Sequence, residues 1–219
     1  RQKEQIRSLK NGINVISLSA TPIPRTLNLS LSKVRDISLI TTPPTGRKSV
    51  KTIVSRYSKS LVFEAIQREF YRDGQVFYLL NNVSMLEEKK KEISDRFPGK
   101  KIAFAHGQLR PKELSKVMES FIRKEIDLLV CTTIIESGID IENANTLIVE
   151  ESENYGLSQL HQIRGRVGRS KREAYAYFFL NENKELKNKA SERIEALQEN
   201  ESLLSGFSLA MRDLEIRGA

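Results

Sequence analysis

The chain of 219 residues contains one cysteine, Cys131. A single thiol closes no internal disulfide, so the core alone has to hold the fold, and such usage suits a reducing compartment. Cys131 ends the apolar run Ile126-Asp127-Leu128-Leu129-Val130, the setting of a buried structural thiol rather than a nucleophile. No run of about 18 apolar residues occurs, so the sequence offers no membrane-spanning helix. The opening Arg1-Gln2-Lys3-Glu4-Gln5 has neither the apolar segment nor the cleavage site of a signal peptide, and no initiator Met. It is expected to be part of something longer. Also missing are G-x-x-x-x-G-K-[ST], the loop whose backbone cradles nucleotide phosphates, and an Asp-Glu box for a magnesium ion after a strand. On its own the chain is therefore expected not to turn over a nucleoside triphosphate.

What is abundant is positive charge. Lys and Arg number 36 against 28 Asp and Glu, a net charge of +8 with a pI near 9.5. That balance favours a polyanionic partner such as nucleic acid. The apolar content of 39% and charged content of 29% fit a globular chain, long enough for one large domain or one domain plus pieces of another.

From Ser49 onward, short apolar runs alternate with amphipathic stretches, the pattern of a parallel sheet covered by helices on both faces. Strands are predicted over 50–54, 75–80, 101–105, 127–131, 145–149 and 174–180. Helices are predicted over 58–71, 84–97, 111–123, 156–163 and 183–200. The first should turn Leu61, Phe63, Ala65, Ile66 and Phe70 inward, and the last Leu186, Ala190, Ile194 and Leu197. The run Glu87-Glu88-Lys89-Lys90-Lys91 suits a solvated face. Tyr175, Tyr177, Phe178 and Phe179 are expected in the core rather than as a base-stacking platform. Before this region, 13–18 suits a strand and 37–40 another short one, and the double break at Pro43-Pro44 suits a linker.

The densest chemistry is Gln162-Ile163-Arg164-Gly165-Arg166-Val167-Gly168-Arg169. An arginine keeps its charge, and its planar fork pairs with two phosphate oxygens at once. A glycine before each of Arg166 and Arg169 removes a Cβ and lets the backbone press close to whatever the guanidinium reaches. The plainer alternative is a solvated basic loop.

This string resembles motif VI of superfamily 2 helicases and translocases. In that family it sits on the second RecA-like lobe and faces ATP held by the first. The resemblance implies Arg169 as the arginine finger, Arg166 as a second phosphate contact and Gln162 as a polar link to the nucleotide. The string Ala20-Thr21-Pro22-Ile23-Pro24-Arg25-Thr26-Leu27 resembles two groups of that superfamily, the transcription-repair coupling factors and the RecG-like fork-remodelling translocases. With Ser19 ahead of it, Ser19-Ala20-Thr21 resembles motif III, which couples the nucleotide state to lobe movement.

Further matches follow in the same order. Asn81 and Asn82 stand where motif IV touches the nucleic-acid backbone, though a simple turn explains them equally well. His106 and Gly107 resemble an element that lies against the phosphate backbone. The segment from Thr132 and Thr133 to Asp140 resembles motif V, which implies that Thr132 contacts the strand while Gly138 and Asp140 lie near the nucleotide. Glu136-Ser137-Gly138 favours the coupling factors. The closing stretch resembles the translocation motif that follows the second lobe, with Arg212 and Arg217 as its coupling residues.

The implied layout is residues 1–42 as the end of lobe 1, 43–48 as linker, 49–181 as lobe 2 and 182–219 as a helical hairpin with the start of the translocation motif. The implied whole protein is a bacterial, cytoplasmic motor. It uses ATP and Mg2+, both held mainly by the first lobe, and moves on double-stranded DNA. It displaces stalled RNA polymerase and engages excision-repair proteins through regions outside these residues, with no membrane and no metal site of its own in this lobe. The alternatives are a RecG-like fork remodeller and a non-catalytic helicase-like binding module.

Overall fold

The computed structural model describes residues 38, 40, 49–133, 141–182, 188–199, 211–213 and 215–216. Ser19, Ala20, Thr21, Gly138, Asp140 and Arg217, the linker 43–48 and all of 1–42 except Ser38 and Ile40 lie outside these residues. Ser38 and Ile40 themselves have no regular structure.

Six strands form one sheet: β1 (Val50–Arg56), β2 (Gln75–Leu79), β3 (Ile102–Ala105), β4 (Leu128–Cys131), β5 (Ala144–Val149) and β6 (Ala174–Leu180). Their order is β1-β6-β5-β2-β4-β3, and every pairing is parallel. Strands β2, β4 and β5 are buried at every residue, which explains their mostly apolar sequences: neither face of a central parallel strand meets water, and Gln75, Asn145 and Thr146 are buried polar exceptions.

Five helices cover the sheet: α1 (Lys59–Tyr71), α2 (Leu86–Arg96), α3 (Pro111–Ile122), α4 (Leu157–Arg164) and α5 (Asn188–Glu199). The buried apolar residues separate into two clusters, one on each side of the sheet. Helices α1 and α2 pack with Val76, Tyr78 and Val130 on one side; α3, α4 and α5 pack with Phe77, Leu79 and Leu129 on the other. The chain moves outward from β1 through β2 to β3 with helices on the first face. It then returns through β4 and β5 to β6 on the second. Changing face when direction reverses keeps the crossovers of one hand.

Local chemistry sets the helix ends. Ser58 caps α1 by accepting from the Leu61 N–H at 3.5 Å. Pro111 opens α3, where its missing N–H costs nothing. The buried stripe of α1 is Val62, Ala65, Ile66, Glu69 and Phe70, so the helix is rotated from its expected phase and Leu61 and Phe63 are only partly covered. In α5, Ala190 and Leu197 are buried as expected, together with Ala196; Leu186 and the side chain of Ile194 lie outside the described residues. Phe178, Phe179 and Tyr177 are core, whereas Tyr175 is half-buried with the Arg68 guanidinium 3.7 Å from its ring centre.

Because every strand runs the same way, the sheet has one amino edge and one carboxyl edge. The candidate residues divide between them.

Candidate functional site

Helix α4 runs back from the carboxyl edge and buries Leu157, Leu160 and Ile163. It unwinds through tight turns: Gly165 N–H donates to the His161 carbonyl at 3.0 Å, Arg166 N–H to Ile163 at 3.0 Å and Val167 N–H to Arg164 at 3.3 Å. Val167 then plugs into the core, fully buried. Gly168 follows with φ +72, and a Cβ there would stand 2.9 Å from Ala174 Cβ and 3.0 Å from Val50 Cγ2. Val50 and Ala174 begin β1 and β6, so the turn reaches the amino edge. Arg166, Arg169 and, on the last turn of α4, Gln162 are all half-buried.

The two glycines have different reasons. Gly168 is required by a left-handed backbone and by its press against the lobe's own strands, a constraint internal to the lobe. Gly165 has a helical backbone, and a Cβ there would sit 3.4 Å from the Gln162 carbonyl, an ordinary contact.

Arg164 is a structural residue. It is buried, and its Nη1 donates to the Leu197 carbonyl at 3.0 Å and to Thr52 Oγ1 at 3.3 Å, fastening α5 to α4 and β1. Burial, and then the neighbouring Arg164 cation, push His161 down to about 4, so its imidazole is neutral at physiological pH.

The other candidates lie past the carboxyl ends of their strands, where parallel sheets bind ligands. Asn81 and Asn82 follow β2 and are exposed. Asn82 Oδ1 accepts from the Ser84 N–H at 3.0 Å and Ser84 Oγ at 2.8 Å, so it caps the short turn Val83–Met85. His106 and Gly107 follow β3; the His106 ring lies parallel to Phe104 with centres 6.3 Å apart, and Gly107 is exposed. Thr132 and Thr133 follow β4 half-buried, with the Thr132 N–H donating to the Ala105 carbonyl at 3.3 Å. The structure thus brings Asn81, Asn82, His106, Gly107, Thr132 and Thr133 to one edge, and sets the Gly168–Arg169 turn at the other.

Two groups were missed in the sequence. Lys89 belongs to the run expected to be a solvated face, yet its side chain is only 11% exposed. Its Nζ lies 3.1 Å from Glu150 Oε1 and 2.8 Å from Glu92 Oε2, and donates to the Tyr57 hydroxyl at 3.2 Å. The Tyr78 hydroxyl also donates to Glu150. Burial opposes the Lys89 charge, but hydrogen bonds to Glu92 and Tyr57 and the Glu150 charge outweigh it, so its pKa is raised. Burial foremost, then Glu150, raises the Tyr78 phenol well above its ordinary value. The signal was helical phase: Lys89 is three residues from Leu86 and four from Ile93, the two buried residues of α2.

The second is Asp213. Arg212 is exposed and pairs with Glu215 at 2.9 Å, one turn on. Its neighbour Asp213 is buried and accepts from Ser158 Oγ of α4 at 3.2 Å. Among the described residues no cluster of three or more His, Cys, Asp or Glu suits a metal ion, and no helix is long and apolar enough to cross a membrane.

Residues 59–171 match the helicase conserved C-terminal domain, and the chain belongs to that family. It is 52% identical over all 219 of its residues to the transcription-repair-coupling factors of Staphylococcus haemolyticus and Staphylococcus aureus, and spans 19% of the length of each. A solved structure of RecG bound to a three-way DNA junction matches 91% of this chain and 26% of that one, with TM-score 0.76 and 36% identity. Saccharomyces cerevisiae Dbp5 bound to RNA and ADP BeF3 matches 97% of this chain and 57% of that one, with TM-score 0.64 and 14% identity, a likeness of fold alone. The fold is the RecA-like lobe of helicase C-terminal domains.

Proposed function

We propose that this chain is the second motor lobe, with flanking segments, of an ATP-dependent double-stranded DNA translocase. The whole protein displaces stalled RNA polymerase and couples transcription to nucleotide excision repair. The observation that carries the reading is the turn after α4: Gln162, Arg166 and Arg169 are half-buried, and the backbone before Arg169 is wedged against the starts of β1 and β6. A guanidinium on such a backbone is suited to bring charge to a transferring phosphoryl group from a second surface. Arg166 is the second phosphate contact, and Gln162 links nucleotide to cleft.

In this reading ATP and Mg2+ are held mainly by the first lobe, with Gly138 and Asp140 near the cleft, and this lobe alone turns over no ATP. Asn81, Asn82, His106, Gly107, Thr132 and Thr133 line the path of the DNA backbone. Ser19, Ala20, Thr21, Arg212 and Arg217 link lobe closure to movement. RNA polymerase and repair proteins bind other regions of a bacterial, cytoplasmic protein. The 52% identity to two transcription-repair-coupling factors supports this assignment.

The test is Arg169→Ala in the full-length protein. A finger contributes roughly 10³–10⁵ in rate, so DNA-stimulated ATPase should fall by at least about 10³ with nucleotide binding retained. Unchanged turnover would exclude the finger role, and no turnover in the unaltered protein would leave a non-catalytic binding module. The likeness to RecG favours one other motor, a fork remodeller, whose turnover would respond chiefly to forked DNA.

A further inference from the structure

At the amino edge, two segments converge on the residues that follow Arg169. From β5, Asn145 is fully buried; its Nδ2 donates to the Asn143 carbonyl at 3.1 Å, and its Oδ1 accepts from Ser170 Oγ at 2.8 Å. Ser170 Oγ in turn accepts from the Arg172 N–H at 3.2 Å, closing a small turn. From the end of α1, Arg72 Nη1 donates to the Glu173 carbonyl at 2.9 Å, and the Arg72 carbonyl accepts from Arg172 Nη1 at 2.5 Å. Arg72 is itself held by a buried carboxylate. Its Nη2 pairs with Glu69, whose Oε2 also accepts from Thr146 Oγ1 of β5 at 2.5 Å.

Glu69 has this place because residue 74 is glycine: a Cβ there would lie 1.7 Å from Glu69 Oε1. Burying a carboxylate and an asparagine amide is costly unless each is bonded; Glu69 is held by Arg72 and Thr146, and Asn145 by Asn143 and Ser170, while half-buried Arg72 reaches on to Glu173. Arg169 therefore stands between two fixed points, Gly168 wedged on Val50 and Ala174, and Ser170 tied to Asn145.

We propose that Asn145 and Ser170, backed by Arg72 and Glu69, form a clasp that positions Arg169 for phosphoryl transfer. The inference rests on the finger reading of Arg169. In it, Asn145, Ser170 and Arg72 are positioning residues that touch neither nucleotide nor DNA. A guanidinium displaced by about 1 Å forfeits up to about 10² in rate, so loosening one tie should be visible in turnover while ground-state binding stays the same.

The experiment compares Ser170→Ala, Ser170→Thr, Arg72→Lys and Arg169→Ala in the full-length protein at saturating duplex DNA. Ser170→Ala should lower kcat about 10-fold with KM for ATP and DNA affinity unchanged. It should weaken the complex of ADP with aluminium fluoride, a transition-state mimic, by the same factor, and leave ADP with beryllium fluoride unaffected. Ser170→Thr keeps the hydroxyl and should restore kcat. Arg72→Lys keeps the charge but cannot hold Glu69 and the Glu173 carbonyl together, and should lower kcat by a smaller factor, about 3-fold.

Unchanged kcat in Ser170→Ala beside a dead Arg169→Ala would overturn the clasp and leave the finger standing. Equal losses in Ser170→Ala and Ser170→Thr, with a lowered Tm, would reduce Ser170 to a structural role and also overturn it. Full turnover in Arg169→Ala would remove the finger reading itself, and the clasp with it.

Discussion

The two edges of the sheet are built differently. At the carboxyl edge, Asn81, Asn82 and Gly107 stand on open loops. At the amino edge, Arg169 is bracketed by a glycine with no room for a Cβ and a serine tied to a fully buried asparagine. A strand-like polymer sliding past a surface needs many weak, exposed contacts to its phosphates. A charge that must meet one phosphoryl group needs a single fixed geometry. The lobe supplies exposure at one edge and over-determination at the other.

Six substitutions break or sharpen this contrast, beginning with the largest effect. Arg166→Ala in the full-length protein should lower kcat by about 10² with the salt dependence of DNA binding unchanged, since removing one oriented donor costs that much. His106→Ala should do the reverse, weakening DNA binding severalfold and leaving kcat at saturating DNA alone; titrations at several salt concentrations separate the two.

The neutral His161 gives the amino-edge helix a pH limit. Its folded pKa lies below the unfolded one, so the unfolded chain binds the extra proton, and stability falls as pH drops from about 6.5 to about 4. The loss should reach no more than about 3 kcal/mol over that window and be absent above it. Thermal melts followed by circular dichroism should show this, and His161→Gln should flatten it.

Glycine replacement separates local geometry from motif spelling. Gly168→Ala should cost at least about 1–2 kcal/mol, from the left-handed backbone alone, whereas Gly165→Ala should be near neutral. Asn82→Ala should fall between the two, since it removes a cap worth about 1 kcal/mol at an exposed site. Urea midpoints of the two glycine variants and of Asn82→Ala rank the three.

Much of the architecture was legible because it is local. Buried parallel strands have no solvated face, so residues 76–79 and Leu128–Cys131 are apolar without alternation and announce themselves. The strand order was not legible, because β1 pairs with β6, joining Val50 to Ala174 across about 120 residues with no local signal. The candidate site residues stood out as a string but not by role. Arg164, Arg166 and Arg169 have the same chemistry, and only packing distinguishes the one that fastens a helix from the two that remain half-buried. Glycine spacing suggested close approach to a ligand; at Gly168 the close approach is to Ala174 and Val50. Lys89 and Glu69 were hidden by the rule that charges face water, which fails where a partner is supplied from another strand.

The most direct test of the account uses the full-length protein with ATP and RNA polymerase stalled on a linear duplex, following release of the transcript. ATP-dependent release is expected from the unaltered protein and none from Arg169→Ala. Release that persists undiminished in Arg169→Ala, or no release with ATPase stimulated chiefly by forked DNA, would contradict it.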